Sequence, residues 1–361
     1  MRVLFVTAAG ETYAPLLRGL VQSLWQWPSR PFVSLACFDL GMAAETRQWL
    51  GQYATHVVEP GWDLEVSQTL RVQQPHTRAL TVRPFLRDYF PGYSIYLWID
   101  ADCWVQERYA LDWYLAAASQ GNLAVTPEVH HAYHHRPRLF QWRAQRLHAY
   151  FGREAVEKLG WATYFNAGIF ALKADAPHWT RWRAAFEHGL KATDGKLCCD
   201  QTALNHLLWT QGLPAYPLPA TCNWLCHLAA PNYDVARQRF CEPVFPGNPL
   251  GILHLAADAK DMRVKVPDTN GTREMALYFP GSGSEPSCLG HPCPTIALTK
   301  NAMGARDAEA ELLACCAGAT RKTVVMARDQ REANVFHAAA IMSRTFPREA
   351  ASPQQTSDLQ H

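Results

Sequence analysis

Apolar and polar positions alternate in long blocks along the first two thirds of the chain, and each block has one dominant period. Arg2–Ala8 is a short apolar run closed by Ala9-Gly10, and an amphipathic stretch follows from Tyr13 to Trp27. A strand, a glycine and a helix are the expected reading. Further strands are expected at Pro31–Phe38, Tyr93–Ile99, Leu123–Thr126, Tyr164–Leu172 and Leu250–Leu255. The 3.6-residue period predicts helices at Leu40–Tyr53, Leu111–Ser119, Leu139–Tyr150, Ala176–Leu190 and Asp200–Thr210. Pro75–Phe90 is also helical in pattern, with Pro84 marking a kink or a late start. Strands that alternate with helices predict an α/β chain with a mostly parallel sheet covered on both faces. No internal repeat is visible.

The pattern changes after Tyr278. Pro280–Pro294 is rich in Pro, Gly and Ser and reads as a linker. Beyond it, Asp307–Cys316 and Gln330–Met342 read as helices and Thr323–Met326 as a strand. The expected organisation is a catalytic domain over 1–279, a linker over 280–294, a small segment over 295–346 and a disordered tail over 347–361.

Composition narrows the classes. The chain has 361 residues, 48% of them hydrophobic and 18% charged, with a net charge of +2. That balance disfavours a dedicated nucleic-acid binder, which needs many phosphate contacts. No stretch is long and apolar enough for a membrane span, and the N-terminus reads as a strand rather than a signal peptide. A cytoplasmic location follows as the expectation, with peripheral contact at a membrane face left open. The 11 cysteines are scattered and read as reduced thiols.

Four motifs carry chemistry. Asp100-Ala101-Asp102 ends the Tyr93–Ile99 strand, where open α/β sheets bind ligands. On an extended chain, carboxylates two residues apart share a side and suit a divalent cation with a diphosphate. Asn166-Ala167-Gly168 lies in the next long strand. Asp200-Gln201 opens a helix, where Asp200 could serve simply as an N-cap. His254 precedes Lys260 by six residues, giving an imidazole that can ligate a metal and a point charge for phosphate. Three further groups stand out less. His130, His131, His134 and His135 form a run read as structural or acceptor-facing rather than metal-binding. Cys222, Cys226 and His227 lack a second matched pair for zinc. The basic residues Arg136, Arg138, Arg143 and Arg146 read as a solvated face, or as a surface for an anionic acceptor or membrane.

In their order and spacing, the four motifs resemble the retaining family 8 glycosyltransferases over roughly residues 1–266. The resemblance implies a GT-A fold: Rossmann-like, with a mixed, mostly parallel sheet flanked by helices. It implies transfer of a hexose from a UDP-sugar, with retention, to a glycan, glycolipid or protein acceptor. It also implies Mn²⁺ or Mg²⁺ held by Asp100, Asp102 and His254. Tyr13, Arg83, Asp100, Ala101, Asp102 and Lys260 would contact the donor nucleotide. Asn166, Asp200 and Gln201 would be the catalytic residues. Ala257 and Asp261-Met262 depart from the family's Gly and Pro-Trp around the lysine, and Ala9-Gly10 replaces an acidic residue. Two alternatives therefore stand beside this expectation: an inverting GT-A transferase, and a non-catalytic sugar-nucleotide or glycan-binding protein.

Overall fold

The computed structural model describes residues 2–26, 33–135, 137–268 and 271–279. The linker, small segment and tail expected after residue 279 lie outside these residues, as do the ends of the first helix and second strand near 27–32.

In chain order the strands are β1 (Val3–Ala9), β2 (Val33–Asp39), β3 (His56–Val58), β4 (Ile95–Ile99), β5 (Cys103–Val105), β6 (Leu123–Pro127), β7 (Phe165–Lys173), β8 (Ala215–Pro217), β9 (Trp224–Leu225), β10 (Asn232–Asp234), β11 (Arg239–Cys241), β12 (Ile252–His254), β13 (Arg263–Asp268) and β14 (Gly271–Ala276). The helices are α1 (Ala14–Trp25), α2 (Ala44–Leu50), α3 (Gln68–Gln73), α4 (Arg78–Val82), α5 (Leu86–Tyr89), α6 (Tyr109–Ser119), α7 (Pro137–Leu159), α8 (His178–Ala192) and α9 (Asp200–Gln211).

Seven strands form the main sheet in the order β3-β2-β1-β4-β7-β6-β8. Every neighbouring pair is parallel except those made by β7, which runs antiparallel to β4 and β6. This is the mixed, mostly parallel α/β sheet the alternating pattern predicts. β4 reads IYLWI and is buried throughout, as a strand covered on both faces must be. One face carries α8 and α9, with Trp98, Phe170, Trp179, Trp182 and Phe186 in a single apolar cluster. The other carries α1 and α6, with Leu17, Leu20, Val21, Leu97 and Tyr114. In α1 the buried Leu16, Leu17, Leu20, Val21 and Leu24 recur at helical spacing, so one stripe faces the sheet.

Two departures from regularity bear on the site. The β6–β7 register jumps: Val125 pairs with Phe170, but Thr126 pairs with Asn166. The residues Ala167–Ile169 bulge out of the ladder there, and such bulges re-aim side chains at the end of a strand. A second, three-stranded sheet, β5-β12-β9, stands beyond the end of β4. It pairs His254 with Cys103 and with Leu225.

The structure also revises several expected elements. Pro75–Phe90 is helical as expected but in short pieces, with α4 and α5 separated by a turn at Pro84, which cannot continue a helical ladder. The helix expected at Leu139–Tyr150 extends over Pro137–Leu159 but breaks at Gly152, whose φ of +81° is a conformation glycine tolerates. The Leu40–Tyr53 helix shrinks to α2. The last strand expected, Leu250–Leu255, is followed by the β13–β14 hairpin. Trp104 Nε1 donates to Leu277 O at 2.8 Å and ties that hairpin to the second sheet. The two-residue and three-residue strands β3, β5, β8 and β9 are too short to show a period in sequence.

Candidate active site

β4 ends at Ile99, and the backbone turns at once, with Cys103 N donating to Asp100 O at 3.0 Å. Asp100 and Asp102 therefore flank a turn rather than sharing one side of an extended strand. The turn still brings them together, because β12 delivers His254 between them. His254 Nε2 lies 3.4 Å from Asp102 Oδ1 and 3.9 Å from Asp100 Oδ2. Ala101, the middle residue of the motif, is buried.

The imidazole is oriented from behind. Its Nδ1 donates to Asn223 Oδ1 at 2.9 Å, because Asn223 uses its amide nitrogen to donate to Asn166 Oδ1 at 3.0 Å. Nε2 is left facing the two carboxylates. That polarity calls for a cation, and an imidazole whose other nitrogen is hydrogen-bonded is the usual metal-ligating form. Gly168 adds a second sign of close packing. A Cβ there would sit 2.5 Å from His254 Cε1 and 2.7 Å from Asp100 Oδ2. The donor set of two carboxylates and one imidazole fits a divalent cation that keeps further positions for phosphate oxygens. Among the described residues, the ligating atoms of Asp102, Cys103 and His254 also lie within 4.8 Å of one another. Burial, aided by the charges of Asp102 and Asp100, pushes the Cys103 thiol well above its ordinary range. A protonated thiol is a poor ligand, so Asp100 is the better third member.

Lys260 completes one flank. Its Nζ is 2.7 Å from Asp102 Oδ2 and 5.4 Å from the centre of the Tyr13 ring. Tyr13, at the start of α1, is 38% exposed, so its face is open to a planar ligand. Burial would raise the Asp102 pKa, but His254 and Lys260 outweigh it and hold the carboxyl well below the usual range. Lys260 moves the opposite way: burial lowers its pKa, and the charge of Asp102 raises it further, to a net rise.

Arg83 forms the other flank. Its Nη2 donates to Asp100 Oδ1 at 2.5 Å and its Nη1 to Asp200 Oδ2 at 2.7 Å. The guanidinium lies over the Trp98 ring at 4.8 Å, and Trp98 Nε1 also donates to Asp100 Oδ1. Asp200 is the first residue of α9 and makes no N-cap bond of its own; the N-cap position is Cys199. Burial pushes the Asp200 pKa up, and the Arg83 pair opposes that shift.

Gln201 and Asn166 meet at a group absent from the motifs. Glu128 follows β6 and accepts at Oε1 from Asn166 Nδ2 at 2.9 Å and from Gln201 Nε2 at 3.0 Å. Arg143 of α7 donates to its other oxygen. The polar candidate residues thus form one connected wall: Tyr13, Lys260, Asp102, His254, Asp100, Arg83 and Asp200, with Asn166 joined through Asn223 and Gln201 through Glu128. The residues that sequence reasoning missed are Glu128, Asn223 and Trp98; Arg143, expected on a solvated face or against an anionic acceptor or membrane, is instead turned inward onto Glu128, its side chain 11% exposed. Glu128 had one available signal, its place just beyond the end of an expected strand. Asn223 had none, since its role rests on a contact 31 residues away in sequence.

The run at 130–135 is separate in kind. His130 Nε2 faces Glu242 Oε1 at 3.2 Å, and its Nδ1 accepts from Ala132 N at 3.2 Å. Both nitrogens are consumed. The described cysteines, including Cys222 and Cys226, are free thiols. No helix of the described residues is long and apolar enough to cross a membrane.

No family model matches the chain, and no curated protein matches it. Solved structures are similar at low identity. The galactosyltransferase LgtC with donor and acceptor sugar analogues is 18% identical, with 71% of this chain and 88% of that chain covered and a TM-score of 0.44. An active-site mutant of LgtC is 17% identical, with 70% and 87% covered and a TM-score of 0.43. The bifunctional glycosyltransferase WbbM, in its apo form, is 12% identical, with 71% of this chain and 46% of that chain covered and a TM-score of 0.45.

Proposed function

We propose that the protein is a metal-dependent glycosyltransferase that moves a hexose from a UDP-sugar to a glycan, glycolipid or protein acceptor, with retention of the anomeric configuration. The observation that carries the reading is the convergence of Asp100, Asp102 and His254 Nε2 beside Lys260. The retaining outcome and the UDP donor come from the motif resemblance.

In this reading Asp100, Asp102 and His254 would hold Mn²⁺ or Mg²⁺, which would supply positive charge for the departing diphosphate. Lys260 shares that load from the Asp102 side. Tyr13 offers its open face to the uracil. Arg83, fixed between Asp100 and Asp200, presents the donor sugar with a rigid wall, and Asp200 places negative charge near the cationic anomeric centre. Gln201 and Asn166 donate to sugar hydroxyls. A carboxamide is a weak nucleophile, so the acceptor hydroxyl attacks on the face that UDP leaves. The bond from the anomeric carbon to the phosphate oxygen breaks, the bond to the acceptor oxygen forms, and the acceptor proton passes to the departing phosphate.

The deciding experiment incubates the purified chain with a panel of UDP-sugars, with Mn²⁺ or with chelator, and measures released UDP. Metal-dependent release from one donor, lost in Asp102→Asn with the fold intact, supports the reading. Turnover that persists in Asp102→Asn refutes the assigned site. UDP binding without turnover, across donors and acceptors, favours a binding protein.

A further inference from the structure

α7 presents one face to the segment that leads into Asp200. Arg143, Arg146 and Tyr150 recur on that face at helical spacing. Arg143 reaches Glu128. Further along, the Tyr150 hydroxyl donates to Leu197 O at 2.7 Å and accepts from Cys199 N at 2.8 Å. Arg146 stands between these two anchors, which places it beside Cys199, the residue before Asp200. Electrostatics agrees: burial raises the Cys199 thiol, and the Arg146 charge opposes that rise.

Arg146 differs from the other cations of the site in its partners. Arg83 is shared by Asp100 and Asp200, Lys260 is paired with Asp102, and Arg143 is paired with Glu128. Among the described residues Arg146 makes no ion pair and no hydrogen bond. Its guanidinium instead lies 4.0 Å from the centre of the Trp142 ring, one turn back on the same helix. Stacking uses the flat face of a guanidinium and leaves its N–H edge for an acceptor. The fork is also held in place before anything binds, so less freedom is lost when something does. Trp142 is anchored in turn, since it packs, like Leu197 and Cys198, against the apolar cluster beneath α8 and α9. All three are half-buried, and so is Arg146. Together they make a small apolar surface with one unneutralised positive charge.

Position decides what that charge meets. The proposed diphosphate end lies at Lys260 and the cluster of Asp100, Asp102 and His254. Arg83 separates this end from Asp200 by spanning Asp100 and Asp200, and Arg146 lies beyond Asp200. On a UDP-hexose the anionic part is the diphosphate, so an anion held at Arg146 belongs to the other substrate.

We propose that Arg146 is a specificity-determining residue and that the acceptor is an anionic glycan, whose carboxylate or phosphate meets the Arg146 fork beside Trp142. The word acceptor rests on the glycosyltransferase reading; the anion site itself does not. An arginine edge takes either group through two parallel N–H···O bonds. A neutral glycan leaves the charge unused.

The test titrates matched probes into the full chain by saturation-transfer NMR, with UDP and Mg²⁺ present. Methyl β-glucuronide and methyl β-galacturonide are each compared with the neutral methyl glycoside, and glucose 6-phosphate with glucose. At least one acidic probe should bind about 10- to 100-fold more tightly than its neutral partner, the range of a charge-assisted hydrogen-bonded pair. Preference for a uronide assigns a carboxylate, and preference for the phosphate ester assigns a phosphate. Arg146→Gln should erase the preference and leave the affinity of the neutral probe as it was. Higher salt should shrink the preference in the wild type, a check that needs no variant to fold. Equal binding of acidic and neutral probes overturns the proposal. So does a preference that survives in folded Arg146→Gln, or one indifferent to salt. A wild type that releases no UDP from any donor would sink the transferase reading, while the probe titrations would still judge Arg146 as an anion site.

Discussion

Two buried histidines sit beyond the main sheet, and they do different work. His130 is 5% exposed and His254 is 3% exposed, so burial does not separate them. Hydrogen bonding does. His130 spends both nitrogens on Glu242 and the Ala132 backbone, and its ring packs against Trp224 at 4.9 Å. Nothing remains for a ligand. His254 spends one nitrogen on Asn223 and turns the other toward two carboxylates. A ligand-binding histidine is thus recognised by the valence it keeps open. In sequence His130 is the more conspicuous of the two, because it stands in a run of four histidines, whereas His254 is isolated in an apolar segment.

The largest effect should come from the carboxylate that faces the open nitrogen. Asp102→Asn should cut metal-dependent UDP release by about 1000-fold, the scale of losing a preorganised electrostatic group at a reacting centre. A melting temperature close to wild type would confirm that the loss is chemical.

A third histidine lies between the two cases. His178 Nε2 donates to Pro214 O at 3.1 Å, while its buried Nδ1 has no partner among the described residues. Burial lowers its pKa from 6.5 to about 4. Above pH 6.5 the ring is neutral whether the chain is folded or not. As pH falls from 6.5 to about 4, the unfolded chain takes up a proton that the folded chain refuses, so stability declines. The full shift corresponds to about 3 kcal/mol at 1.36 kcal/mol per unit. His206 and His227 are shifted in the same direction by burial and add to the slope. Glu128, held below its ordinary 4.5, contributes a further loss only under that pH. Denaturant melts between pH 6.5 and 4.5 should therefore show a falling stability that His178→Gln flattens in part. An unchanged slope would mean that the ring is solvated.

The contrast between His130 and His254 can be tested by cutting each one's partner. Asn223→Ala should weaken Mg²⁺ binding by about 10- to 100-fold, since it frees the ligating ring. Glu242→Gln should leave Mg²⁺ affinity unchanged and cost about 1–3 kcal/mol of stability, because its partners lose a buried charged acceptor. A swap of these outcomes, read by calorimetry and urea melts, would undo the comparison. The smallest effect belongs to the open rim. Tyr13→Ala should weaken UDP binding by the about 0.5–1 kcal/mol typical of a partly exposed aromatic contact, a two- to fivefold change.

Much of the fold was legible because its central strands are apolar throughout. β1, β4 and β7 are buried along nearly their whole length, and such runs declare themselves without knowledge of their neighbours. α8 shows its face through Trp179, Trp182, Phe186 and Leu190. In the second sheet, β12 lies within the strand expected at Leu250–Leu255, but the short strands β5 and β9 could not be found in the same way. They exist because they pair with β12, and the three together carry His254 to the two aspartates.

The sequence by itself determined which chemistry was available: two carboxylates at the end of a strand, an imidazole with a lysine six residues on, and amides placed at strand and helix starts. Those residue types limit the site to cations, phosphate and hydroxyl groups whatever the fold. Only the tertiary structure decided which end of each amide points where and which histidine turns a ring nitrogen toward the carboxylates. That information lies in hydrogen bonds such as Asn166 to Glu128, Asn223 to Asn166 and His254 to Asn223, which join residues 38, 57 and 31 positions apart. Local pattern reports the period of a segment with itself. The direction of a hydrogen bond depends on the partner, and the partner is supplied by the fold.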